Sequence, residues 1–266
     1  MKKLLSILLF VPILGFSQYT AIPDQYFEKA LINLGYDNML DGKVLTENIS
    51  HLDSLIIRSK EITNLKGIEA FKDLIFLGCI DTQITSLDLS QNTALTYLYC
   101  GDNKLTNLDV SGCSNLIILN CGHNQLIKLD ISQNTNLTEL NCRGNKLKTL
   151  VISKRNYSAL NRFKCTNNQL NSLDISSFVA LTHLYCGINQ ITRLDVSKNL
   201  VLTHLFFGDN KIKRIDTSKN TALHSLDCEK NQLKKINLSK NTALKTLSCD
   251  NNKFDCNAVK AKYNFK

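Results

Sequence analysis

The 266-residue chain carries none of the short signatures on which enzyme chemistry usually rests. It has no H-E-x-x-H pair to hold a zinc, no glycine-rich phosphate loop and no G-x-S-x-G nucleophile elbow. Asp88, Asp109, Asp130, Asp174, Asp195 and Asp216 do recur, but at one fixed position of a repeat, which marks them as turn formers. No catalytic residue, no cofactor and no resident metal is therefore expected. Apolar runs are equally scarce: beyond residue 17 nothing is long and greasy enough to span a bilayer.

The exception is the start of the chain. Residues 1–17, MKKLLSILLFVPILGFS, combine two lysines, an apolar centre, and small Gly15 and Ser17 at the −3 and −1 positions. That composition predicts a secretory signal peptide cut before Gln18, too short for a membrane span and without a following cysteine to carry a lipid. The expected location is secreted, periplasmic or at the cell surface, which argues against a nucleic-acid partner.

What the chain does have is a repeat. LTYLYCGDNKL at 95, LIILNCGHNQL at 116, LTELNCRGNKL at 137 and LKTLSCDNNKF at 244 are copies of one phrase, L-x-x-L-x-C-x-x-N-x-L. Its first leucine falls at 52, 74, 95, 116, 137, 160, 181, 202, 223 and 244, giving ten coils over residues 52–254 with a usual period of 21. A period of this length predicts a stacked solenoid, in which each unit buries its apolar side chains only against its neighbours. One step is 23 residues, and Lys154 to Ser158 are expected to bulge there.

Within a coil, apolar residues fall at offsets 0, 3, 5, 10, 13 and 15 from the first leucine, as in Leu95, Leu98, Cys100, Leu105, Leu108 and Val110. Alternation across Leu98-Tyr99-Cys100 is the period of a half-buried strand. No helix fits before the next leucine, so the return side should be extended or tightly turned. An asparagine column from Asn103 to Asn252 and a serine column from Ser90 to Ser239 are expected to satisfy buried backbone groups.

Eight of the ten cysteines stand in the ladder: Cys79, Cys100, Cys121, Cys142, Cys165, Cys186, Cys228 and Cys249. Parallel strands lie ~4.8 Å apart, wider than the ~3.8 Å that disulfide Cβ atoms prefer, so free buried thiols are expected. Phe207 replaces one of them, consistent with a slot that wants apolar volume. Cys113 and Cys256 lie at opposite ends of the solenoid, too far apart to pair.

These coils resemble bacterial leucine-rich repeat proteins of the internalin family, in particular repeats of 21 residues with cysteine where leucine is usual. EITNLKGIEAFKDLIFL at 61–77 likewise resembles the first repeat after the internalin N-terminal cap. The resemblance covers residues 20–256 and implies a right-handed, curved leucine-rich repeat solenoid with its parallel sheet on the concave face. Residues 1–266 are expected to depart from that family, since they show neither an Ig-like domain after the repeats nor a wall-anchoring motif. A shared scaffold does not fix a shared partner.

Residues 18–51 are expected to form a helical cap over coil one, with one amphipathic helix at 23–35: Asp24 caps it, Phe27, Ala30, Leu31 and Leu34 share a face, and Gly35 ends it. DNMLDG at 37–42 is a poor calcium loop, with Met39 at a ligand position and no closing glutamate. Residues 255–266 should cover coil ten.

Side chains at offsets 2, 4 and 6 must point out of the sheet, which ten strands extend to about 45 Å. Phe76, Tyr97, Tyr99 and Ile118 form an early apolar patch, Arg143, Arg162 and Lys164 a basic middle, and His183, Tyr185, His204 and Phe206 a second aromatic patch. A metal shared by His183 and His204 would need a third ligand, for which only Asp227 or His224 offers itself. From Val196 onward 14 Lys and Arg face 6 Asp and Glu, a surplus of 8 out of the net charge of +9, much of it on the return side.

Aromatics and arginine dominate binding hot spots, so the expected function is non-catalytic recognition of an extracellular or envelope protein through the concave sheet, by a monomeric chain. The alternative is a glycan or anionic envelope polymer stacked on the same aromatics; a spacer with no ligand is the third reading.

Overall fold

The computed structural model describes residues 18–153 and 157–265. The expected signal peptide and most of the expected bulge, Lys154 to Asn156, lie outside the described residues.

The chain begins with strand β1 (Tyr19–Ala21), helix α1 (Gln25–Asn33), strand β2 (Lys43–Leu45) and helix α2 (Thr46–Ser50). Asp24 makes α1 possible and also anchors it. One carboxylate oxygen accepts the N–H groups of Tyr26 and Phe27, and the other accepts from Thr63 and Asn64 of coil one. Burial pushes the Asp24 carboxyl upward, but these hydrogen bonds outweigh it and hold it below its usual value. Phe27 and Leu31 are buried against coil one. Leu34 is not: the helix stops at Asn33, and Leu34 caps it at 45% exposure instead of joining the apolar face. Buried Glu28 fills the inside of the 37–42 loop, accepting N–H groups from Asp41, Gly42 and Lys43 at 2.8, 2.6 and 3.1 Å. A carboxylate thus occupies the place where a calcium loop would hold its ion.

Ten three-residue strands then stack in register as one parallel sheet. They are β3 (Ser54–Ile56), β4 (Phe76–Gly78), β5 (Tyr97–Tyr99), β6 (Ile118–Asn120), β8 (Glu139–Asn141), β10 (Arg162–Lys164), β11 (His183–Tyr185), β12 (His204–Phe206), β13 (Ser225–Asp227) and β14 (Thr246–Ser248). The remaining pair, β7 (Lys128–Asp130) and β9 (Thr149–Val151), forms a two-stranded sheet on the return side of coils four and five. Elsewhere the return side runs through tight turns. Among the described residues one 3-10 turn, Ile68–Ala70, lies on the return side of coil one.

The core is one continuous column. Leucines at offsets 0 and 3 and the thiol at offset 5 are almost all fully buried, as in Leu137, Leu140 and Cys142. Burial pushes the ladder thiols far up, to about 12 for Cys79, Cys121 and Cys186. Each amide of the asparagine column spans two coils. Asn145 donates to the carbonyls of Cys121 and Cys142, both at 3.1 Å, and accepts the Leu126 N–H at 3.0 Å. Six serines of the other column work within their own turn. The N–H of Ser111 donates to Asp109 two residues earlier, and the same turn recurs at Ser90, Ser132, Ser176, Ser197 and Ser218. A second buried amide column, Asn92, Asn134, Asn199, Asn220 and Asn241, does bridge coils on the return side. Cys113 takes that slot in coil three, its thiol 3.6 Å from the Asn92 carbonyl. Tyr157 takes it in the long step, donating its hydroxyl to the Ile131 carbonyl at 2.8 Å.

The cysteine expectation needs one correction. Cys249 is not a free thiol but is bonded to Cys256, with Cα atoms 5.5 Å apart. The strand spacing forbids bridges along the ladder; it does not reach Cys256, which opens helix α3 (Cys256–Lys262) and folds back onto coil ten. The other eight cysteines are free and buried.

Candidate functional site

The sheet register brings the expected surface residues together in rows. Phe76 pairs with Tyr97 across β4 and β5, and its ring centroid lies 6.1 Å from Tyr97 and 5.4 Å from Tyr99. Gly78 stands where its neighbours carry side chains, which opens a hollow of about 300 Å³ bounded by Ile56, Arg58, Phe76, Ile80 and Tyr99. Ile56, at the start of it, is 64% exposed.

The second patch is more closely stacked. His183 and His204 face each other on β11 and β12 with centroids 4.3 Å apart and planes within 9° of parallel, and Tyr185 lies 5.0 Å from Phe206. A threonine precedes each histidine. Thr182 donates its hydroxyl to the Asn161 carbonyl and Thr203 donates to that of Thr182, so each hydroxyl has only a lone pair left for its histidine Nδ1, at 2.8 and 2.9 Å. This assigns the proton to Nδ1 and leaves both Nε2 atoms as acceptors. Burial, then the neighbouring histidine and the cations of β10, lowers the pKa of His183; burial, then His224 and Arg162, lowers that of His204. Among the described residues no group of three His, Cys, Asp or Glu is placed to hold a metal ion.

The basic middle is less uniform than its residue types suggest. Lys164 is paired with Glu139 at 3.0 Å on the adjacent strand. Arg143 instead donates its Nε–H to Nε2 of His123 at 2.9 Å. Arg143, His123 and Lys164, with Asn141, Gly144 and Tyr185, line a hollow of about 500 Å³. Arg162 lies beside it on the same strand as Lys164.

Beyond Tyr185 the charge changes sign. A hollow of about 390 Å³ is bounded by Tyr185, Phe206, Asp209, Asp227, Glu229 and Lys230. Gly208 makes room for it: a Cβ there would meet the Asp227 carboxylate at 2.9 Å. His123, Asp209 and Glu229 were not singled out from sequence. They sit at offsets 6 and 7, just past the strand, where the chain turns through left-handed φ at Asp102, His123, Asn167, Ile188, Asp209 and Lys230. The recurring Asp, Asn and Gly at offset 7 were the available signal. A hollow of about 710 Å³ on the return side, between Lys148, Ile152, Asp174, Val179 and Lys198, includes none of the aromatic patches.

No protein-family model matches the chain, and no curated protein does. Solved structures do. The functional domain of InlJ from Listeria monocytogenes, which includes a cysteine ladder, superposes with a TM-score of 0.69 at 34% identity over 90% of this chain. The chain spans 58% of that structure's length. Internalin C2 of the same organism gives 0.61 at 23% identity, covering 78% of this chain and 96% of its own. Internalin F gives 0.53 at 22%, covering 87% and 83%. The last two likenesses speak to the fold alone.

Proposed function

We propose that this internalin-like leucine-rich repeat chain is an exported, non-catalytic binding scaffold that recognises a protein partner with the concave sheet. The observation that carries this reading is the pair of half-buried aromatic stacks, Phe76–Tyr97–Tyr99 and His183–His204–Tyr185–Phe206, each opening beside a hollow of side-chain size. Ring stacking along parallel strands strengthens the sheet. It also presents large, rigid apolar area that loses little entropy when covered, the trait of binding hot spots. Export is supported by the composition of residues 1–17 and by the Cys249–Cys256 disulfide, which suits an oxidising compartment.

The glycan or anionic-polymer reading is favoured by one feature, the basic hollow around Arg143 and Lys164 beside Tyr185. Salt separates the two: polymer binding through those cations weakens steeply as ionic strength rises, and aromatic-centred protein binding weakens little. The test uses residues 18–266 as bait, beside a variant with Tyr97, Tyr99, Tyr185 and Phe206 changed to Ala and an unchanged circular dichroism spectrum. A partner held by the first protein and lost by the second supports the concave sheet. A partner held equally by both removes it.

A further inference from the structure

The charge of the concave face reverses across the second aromatic stack. On the coil-five side lie Arg143 and His123, with Lys164 next to them; on the coil-nine side lie Asp227 and Glu229, with Asp209 between. Tyr185 walls both hollows, so they are two ends of one continuous surface. Among the described residues no carboxylate forms an ion pair with Arg143, and no cation forms one with Asp209, Asp227 or Glu229. Lys164 is already paired with Glu139, and Lys230 borders the acidic hollow without pairing there. The strands run β8, β10, β11, β12, β13, four steps, which separates the two ends by about 19 Å at the usual strand spacing.

Resting on the reading that this sheet binds a protein, we propose that its ligand is a bipolar segment of extended chain lying along the solenoid axis. The segment places a carboxylate beside Arg143, one or two apolar or aromatic side chains over Tyr185 and Phe206, and a lysine or arginine beside Asp227 and Glu229. At ~3.3 Å per residue about six residues span the two charges. A uniform polyanion satisfies the first end and is repelled at the second, so the same geometry disfavours the anionic-polymer partner.

A random twelve-residue peptide library displayed on phage and selected on residues 18–266 tests this. Enriched sequences are expected to hold an acidic and a basic residue five to seven positions apart, in one fixed order, with apolar residues between. Two variants follow, each checked for an unchanged circular dichroism spectrum. The four-fold swap Arg143→Glu, Lys164→Glu, Asp227→Lys, Glu229→Lys should reject those peptides by at least about tenfold and enrich the opposite order. The milder pair Arg143→Gln and Asp227→Asn, which serves if the swap does not fold, should weaken them together. Soluble polyglutamate should bind the wild-type protein poorly and gain affinity when Asp227 and Glu229 become lysine. Uniformly acidic winners, polyglutamate binding indifferent to Asp227 and Glu229, or no enrichment at all overturns the bipolar ligand. Peptides lost in the four-fold alanine variant but indifferent to both charge variants overturn it while leaving concave binding in place. Peptides indifferent to every variant remove both.

Discussion

At the scale of single residues, the solenoid depends on small polar groups that hydrogen-bond in two directions. Asn145 joins the backbone of coil four to that of coil five, and its seven equivalents repeat the link. Their role is legible in the sequence because the geometry demands an amide at the same offset in every coil. The return-side column was hidden because its slot accepts any group that fills the volume: Asn92 and Asn134 share it with Cys113, Tyr157 and Phe178. The histidine stack gives a test at this scale. Both folded pKa values lie below the ordinary 6.5, so the unfolded chain binds protons more readily beneath that pH. The stabilising contribution is complete above 6.5 and is lost as pH falls through the depressed folded values. The melting temperature should therefore drop between pH 7.5 and 5, and the double variant His183→Gln, His204→Gln should show a smaller drop over the same interval. An equal drop in both proteins would remove the stack as the cause.

At the scale of elements, the strands follow from the period and the N-terminal cap from its helix signals around Asp24 and Phe27, whereas the bridge that closes the C-terminal end does not. Strand positions follow from alternation that every coil repeats, but the bridge occurs once and no repeat exposes its logic. Thus Cys256 read as a stray, though Asp255 before it caps α3, accepting from Asn257 and Ala258, and its sulfur closes onto Cys249 only seven residues away. Closing so short a loop contributes about 2 kcal/mol in the chain-entropy account. In a stacked array that contribution stays near the end where it arises. Cys256→Ser should speed amide hydrogen exchange in α3 and coil ten while leaving coils two to five unchanged. Thiol titration supplies the companion measurement: the native protein should show no reactive thiols, and denaturant without reductant should expose the eight free ones. Ten in that second condition would mean that the bridge does not form.

At the scale of the whole molecule, the outward face of the sheet could be located from sequence but its electrostatics could not. Offsets 2 and 4 point outward in any coil of this kind, which places Tyr97, His183 and Phe206 without a structure. Whether Arg143 meets a carboxylate or His123 depends on side chains one coil away and just beyond the strand, where periodicity no longer constrains direction. The same limit applies to the 23-residue step. Beside it stands a cluster in which Phe178 meets Tyr157 at 5.1 Å and Phe163 at 5.6 Å, both edge to face. That cluster joins coils one to five to coils six to ten, and all three rings are fully buried. Phe178→Ala should cost about 3–5 kcal/mol through the cavity it leaves. Because coils communicate only with neighbours, the loss falls on the junction, so the array should cease to unfold as one unit. Hydrogen exchange in increasing denaturant should then show coils six to ten opening separately from coils one to five, whereas the wild-type halves open together. A single concerted transition in the variant would mean that the asparagine ladder, continuous through Asn145 and Asn168, couples the halves more strongly than the aromatic cluster does.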